Sequence, residues 1–179
     1  MSDGRPQIDY QPASIDDFNK CKYLYLRGLQ EPKDNSLRLV IEEAVSGRVS
    51  EPLVIGKTSI PTNLIETLPG CRVFVVNWKS YYAYTVTNES SGIIEGADDK
   101  GEGTLFRVLS SSVYLDFIRA HTYTFVEPDP RRHWSIYCQN HVLDVVSVDE
   151  PEIQTVRAQA SPESRTGVSG WRVWRPEQA

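Results

Sequence analysis

Long apolar runs are missing from this sequence. The most hydrophobic stretches, such as Val73 to Val76, fall far short of the roughly 20 residues that a bilayer-spanning helix needs, so no membrane span is expected. The opening Met1-Ser2-Asp3-Gly4-Arg5-Pro6 places acid and proline where a secretory leader needs a basic and then an apolar stretch. Cysteine is scarce: Cys21, Cys71 and Cys138 are an odd number at wide spacing, which excludes a disulfide framework and fits reduced thiols. A cytoplasmic protein is expected. Positive charge is also in deficit, with 19 Lys and Arg against 24 Asp and Glu, a net charge of −5. That balance disfavours nucleic acid and anionic lipid and favours a basic partner.

The chemistry-bearing motifs are missing too. Gly56-Lys57-Thr58 resembles the end of a phosphate loop, but the glycine required five residues earlier is Glu51. The glycines between Gly92 and Gly103 do not have dinucleotide-binding spacing. The acids Glu95, Asp98, Asp99 and Glu102 lack the alternating positions of a calcium loop. Cys138, His141, His133 and His121 include zinc-ligand types without a second paired motif, so no metal and no cofactor are expected. Asn88-Glu89-Ser90 is a glycosylation triplet only in a secreted chain. His141 with Asp144 and one of Ser110, Ser111 or Ser112 could be nominated for hydrolysis. No Gly-x-Ser-x-Gly elbow accompanies them, and serines ahead of an apolar-periodic stretch read as helix caps.

What is present is an ordinary globular composition, 40% hydrophobic and 24% charged over 179 residues, enough for one domain with a continuous core. Strands are expected at Cys21–Arg27, Leu37–Val45 (helix being the alternative) and Arg72–Trp78, while Leu53–Ile55 is a short apolar run closed by Gly56, followed by a linking segment. Further strands are expected at Tyr81–Asn88, Thr104–Leu109, His133–Gln139 and His141–Val148, from their β-branched and aromatic content and period-2 alternation. Arg72–Trp78 and Tyr81–Asn88 read as an adjacent antiparallel pair, and the last two strands as a hairpin about Asn140. Ser110–Ser112 opens a helix whose Val113, Leu115, Phe117 and Ile118 form an apolar stripe. The expected fold is therefore α+β but mainly β: an antiparallel sheet assembly, a sandwich or partly open barrel, with one or two short helices. It occupies residues 20–153, after an irregular lead-in over residues 1–19. A linker-like tail over residues 154–179 follows, able to fold back through Trp171 and Trp174.

Aromatic residues are the feature with most functional weight. Trp78, Tyr81, Tyr82 and Tyr84 could stack bases, but only Arg72 and Lys79 lie near them, so a protein-facing patch is the better reading. Glu42, Glu43, Glu89, Glu95, Asp98 and Asp99 would rim it with negative charge, and Trp171 and Trp174 would add a second contact.

The segments Leu37–Ala44, Trp78–Glu89 and His141–Ser147 resemble small uncharacterised bacterial β-rich proteins of the immunity-protein-like kind, over roughly residues 20–153. Some proteins of that kind accompany secreted toxins. The resemblance implies a non-enzymatic, cytoplasmic binder that occludes a cognate toxin, and it carries over no catalytic residue. The alternative is a small hydrolase or ligand-binding β-fold using His121, His133 or His141. Convergence of two histidines and a carboxylate in one cleft would favour that alternative, and histidines scattered in strands the binder.

Overall fold

The structure, a computed structural model, describes residues 9–47, 52–91, 99–123 and 129–158. Its elements in order are β1 (Gln11–Pro12), α1 (Ile15–Asn19), β2 (Tyr23–Gln30), β3 (Leu37–Ser46), β4 (Pro52–Ile55), β5 (Thr58–Pro61) and β6 (Ile65–Glu66). They continue with β7 (Arg72–Trp78), β8 (Ala83–Asn88), a 3₁₀ turn (Glu89–Ser91), β9 (Lys100–Glu102), β10 (Phe106–Ser111), α2 (Val113–His121), β11 (Arg132–Tyr137), β12 (His141–Ser147) and β13 (Glu152–Arg157). The fold is mainly β, with antiparallel sheets and two short helices. Among the described residues no helix is long and apolar enough to cross a membrane.

The first sheet runs β1-β13-β7-β3-β2, with β6 also on β3, and the second runs β8-β12-β11-β10-β9. Alternation along each strand sends one face of each sheet into a shared core. Leu37, Leu39, Ile41, Phe74, Val76, Trp78 and Ile153 come from the first sheet, and Phe106, Trp134, Ile136, Leu143 and Val145 from the second. Each such side chain contributes about 1.5–3 kcal/mol by leaving water, which makes this sandwich the main source of stability. Among the described residues β4 and β5 pair only with each other.

Four sequence expectations need correction. β7 and β8 are not a hairpin: β7 lies between β3 and β13, while β8 is an edge strand on β12. The chain changes sheets at one peptide, because the Tyr81 N–H donates to the Asn35 carbonyl (3.2 Å) and the Tyr82 N–H to that of Val146 (2.8 Å). The lead-in is not irregular throughout, since β1 pairs β13 and α1 puts Phe18 fully into the core. The domain extends past residue 153, with β13 held along β7 up to Arg157↔Arg72. Lys100–Glu102, expected to be loop, adds to the sheet as β9. Glu95 and Asp98 lie outside the described residues, as do Trp171 and Trp174.

Candidate functional site

β10 ends at Ser111, and the chain turns directly into α2, with Ser112 as the N-cap in extended conformation (φ −165°, ψ 157°). The Ser112 oxygen accepts the Leu115 N–H at 3.0 Å, satisfying one of the free donors of the first helical turn. Leu115 and Ile118 then bury against Val146, so α2 lies on the outer face of the second sheet.

That face is organised by register. Arg107 stands opposite Ser135, Ser135 opposite Asp144, and Asp144 opposite Thr85, a polar row across four strands. The neighbouring row is Leu109, His133, Val146 and Ala83. Where the two rows meet the start of α2, His133 Nδ1 lies 2.8 Å from Ser112 Oγ, and His133 Nε2 lies 2.8 Å from Asp144 Oδ1. The Ser135 hydroxyl donates to the same Asp144 oxygen at 2.7 Å. One tautomer satisfies every member: Nε2–H donates to Asp144, and Nδ1 accepts the Ser112 O–H. The Tyr114 ring lies 5.1 Å from the His133 ring. Burial raises the Tyr114 phenol above its ordinary pKa.

This serine–histidine–aspartate relay opens on a narrow cleft of about 70 Å³, bounded among others by Asp99, Arg107, Leu109 and Tyr137. Ser112 is only 3% exposed and His133 5%. The serine oxygen is already committed twice, to a backbone N–H and to the imidazole. As it stands the relay fastens α2 to the sheet.

The other histidines do not join it. His121 Nδ1 bonds the Phe117 carbonyl at the end of α2 (2.8 Å), and His141 opens β12 opposite Asn88. The nominated serine group thus resolves to Ser112, and its histidine is His133 rather than His141. The hairpin about Asn140 could have given the Ser135–Asp144 pairing from sequence alone. The meeting of His133 with Ser112 depends on how α2 lies and had no local signal. Cys138 is a buried core residue whose thiol is pushed up to about 12 by burial, and Cys21 is likewise pushed up to about 12. Among the described residues no group of three or more His, Cys, Asp or Glu side chains could hold a metal ion. A larger cleft of about 360 Å³ lies between the start of α1 and the β12–β13 turn. Its polar side chains are Ser14, Asp16 and Glu150, without a nucleophile–base pair.

The expected aromatic patch is smaller than its sequence suggests. Trp78 is a correction, being 1% exposed at the centre of the sandwich. Tyr81 and Tyr84 are half-buried against the core in an edge-to-face pair 5.1 Å apart, and the Tyr81 hydroxyl donates to Glu31 at 2.6 Å. That carboxylate raises the Tyr81 phenol to about 12. Tyr82 remains 49% exposed, with Arg131 against its ring, and Val86 is 41% exposed. Glu89 is exposed beyond β8, and Asp99 accepts the Val113 N–H at the start of α2. Glu42 and Glu43 do not rim this patch: they pair with Arg27 and Arg72 across the first sheet.

Comparison with protein-family models, with curated proteins and with solved structures returns no match.

Proposed function

We propose that the protein is a non-enzymatic protein-binding protein, most concretely an immunity protein that binds a basic toxin and occludes its active site. The observation that carries the reading is the β8 edge. Tyr82, just before the strand, and Val86 within it are exposed, and Glu89 follows its end. Glu31 accepts the O–H of the neighbouring Tyr81, and among the described residues no strand pairs on the outer side of β8. An aromatic anchor within an acidic rim suits a cationic surface, and the net charge of −5 would speed encounter. The test is affinity capture on the full chain, followed by rebinding of the identified partner in purified form. The expected partner is a basic protein whose toxicity on expression is relieved by this chain, with an association rate that falls as salt rises. Recovery of the bait alone counts against binding, and a salt-independent rate against the electrostatic part.

A second reading, a small hydrolase with His133 as base, is favoured by the Ser112–His133–Asp144 relay alone. A fluorophosphonate probe separates the two. Labelling of Ser112 that disappears in His133→Gln supports the hydrolase, and an unlabelled, folded protein excludes this serine as its nucleophile.

A further inference from the structure

The β4–β5 ribbon has an unexplained apolar face. Its register pairs Leu53 with Ile60 and Ile55 with Thr58, and these four share one side. Leu53, Ile55 and Ile60 are 52%, 60% and 43% exposed. A two-stranded ribbon is marginal in water unless a third element packs on it, and among the described residues neither strand pairs beyond the ribbon.

We propose that this face is the seat of the chain's own segment Trp171–Trp174. Topology brings the root of the ribbon and the point where the chain leaves β13 to one end of the first sheet. The ribbon is rooted where β3 ends, with β6 on Val45 and Ser46 and the Gly47 N–H on the Leu64 carbonyl. β13 runs out at the same end of that sheet, where Ala158 exchanges hydrogen bonds with Gly70 and Cys71 at 2.9 and 2.8 Å. Residues 159–170 then separate Ala158 from Trp171. That length reaches about 20 Å as a flexible coil and about 40 Å when extended, against a ribbon about 13 Å long.

The chemistries match. Residues 52–61 carry one charge, Lys57, and no carboxylate, while Trp171, Val173 and Trp174 supply the largest apolar surface in the tail. A second copy is the weaker occupant. Both copies would be acidic, and a ribbon of four residue pairs is small beside the roughly 1,200 Å² of a specific interface. A tethered segment instead meets the face at an effective concentration on the order of millimolar.

Hydrogen exchange of the full chain tests this against the double variant Trp171→Ser, Trp174→Ser. The expected result is that amides of residues 53–60 exchange about tenfold faster or more in the variant, as loss of a covering element would give, while those of β3 and β7 are unchanged. Acrylamide quenching gives the reciprocal reading, because Trp78 and Trp134 are each 1% exposed and shielded. The other two tryptophans are expected to be protected in the native chain and quenched in Leu53→Ser, Ile60→Ser. The proposal is overturned if ribbon exchange is the same in both proteins, if the tail tryptophans are equally quenched with and without the ribbon substitutions, or if ribbon protection rises with protein concentration, which would assign a second copy.

Discussion

Asn140 binds the backbone of Leu26 twice: its Oδ1 accepts the Leu26 N–H at 3.0 Å, and its Nδ2 donates to the Leu26 carbonyl at 2.9 Å. The pair joins the β11–β12 turn of one sheet to β2 of the other, beside the register shift between Leu26 and Gly28. Asn140→Ala leaves both backbone groups half-buried without these partners, and a loss of about 2 kcal/mol is expected. Asn140→Asp keeps the acceptor and loses the donor, so an intermediate loss is expected. Urea unfolding midpoints of the three proteins give the order, and equal midpoints would remove this bond pair from the account of how the sheets are joined.

Arg131 and Asp129 form a second fastening. The Arg131 guanidinium, with its side chain 1% exposed, donates to both Asp129 oxygens at 2.7 to 2.9 Å, while Arg119 of α2 donates to the same carboxylate at 2.9 Å. Hydrogen bonds from Arg131, opposed in part by burial, hold the Asp129 carboxyl well below its usual range. A depressed folded pKa contributes stability that is fully present above the ordinary carboxylate pKa and is lost as pH falls towards the folded value. Thermal melts of wild type and Asp129→Asn should therefore differ most near neutral pH and converge below about pH 4. Arg131→Ala leaves the Asp129 carboxylate with Arg119 as its charged partner, and the loss of charged hydrogen bonds is expected to cost about 2 kcal/mol.

These contacts mark the limit of what the sequence disclosed. β3, β7, β11 and β12 were legible because their β-branched and aromatic content declares a buried strand locally. α1 was not, because Phe18 is a single large apolar residue among Asp16, Asp17, Asn19 and Lys20, and its burial follows from partners in both sheets, Phe74 and Phe106. β13 was lost for a similar reason, as Glu-Ile-Gln-Thr-Val-Arg becomes a strand by pairing with β7, far away in sequence. The short Lys79-Ser80 link between Trp78 and Tyr81 implied a hairpin, and the opposed hydrogen bonds of Tyr81 and Tyr82 show the crossing between sheets. At the candidate site, Asp144 and the Ser110–Ser112 group could be nominated from the sequence, but the choice of His133 over His141 is set by the lie of α2.

A relay that fastens a helix predicts coupled losses of stability. Ser112→Ala removes the cap and the imidazole's partner, and should cost about 1–2 kcal/mol. His133→Gln should cost a comparable amount. Because the two groups share one hydrogen bond, the double variant should fall short of the sum by about 0.5 kcal/mol or more. Strictly additive losses in urea unfolding would mean that Ser112 and His133 act independently, and the relay would then not be the fastening of α2.

Phe18 supplies the sharpest test of where the folded unit begins. Its ring stacks on Phe74 of β7 at 4.0 Å and meets Phe106 of β10 edge-on at 5.2 Å, so one residue of the first helix touches both sheets. The next residue continues the attachment. Asn19 Oδ1 accepts the N–H groups of Thr104, Leu105 and Phe106 at 2.9 to 3.0 Å, and its Nδ2 donates to the Phe106 carbonyl at 3.1 Å. Gly103 makes that approach possible with φ +100°, since a Cβ there would collide with the Phe106 carbonyl. Phe18→Ala should cost about 4 kcal/mol through lost burial and the cavity left behind. Asn19→Ala should cost about 2 kcal/mol, because the backbone donors it served stay partly buried. Exposed Lys20→Ala should be nearly neutral. If Phe18→Ala unfolded at the wild-type urea concentration, α1 would be an appendage, and the domain would begin at β2.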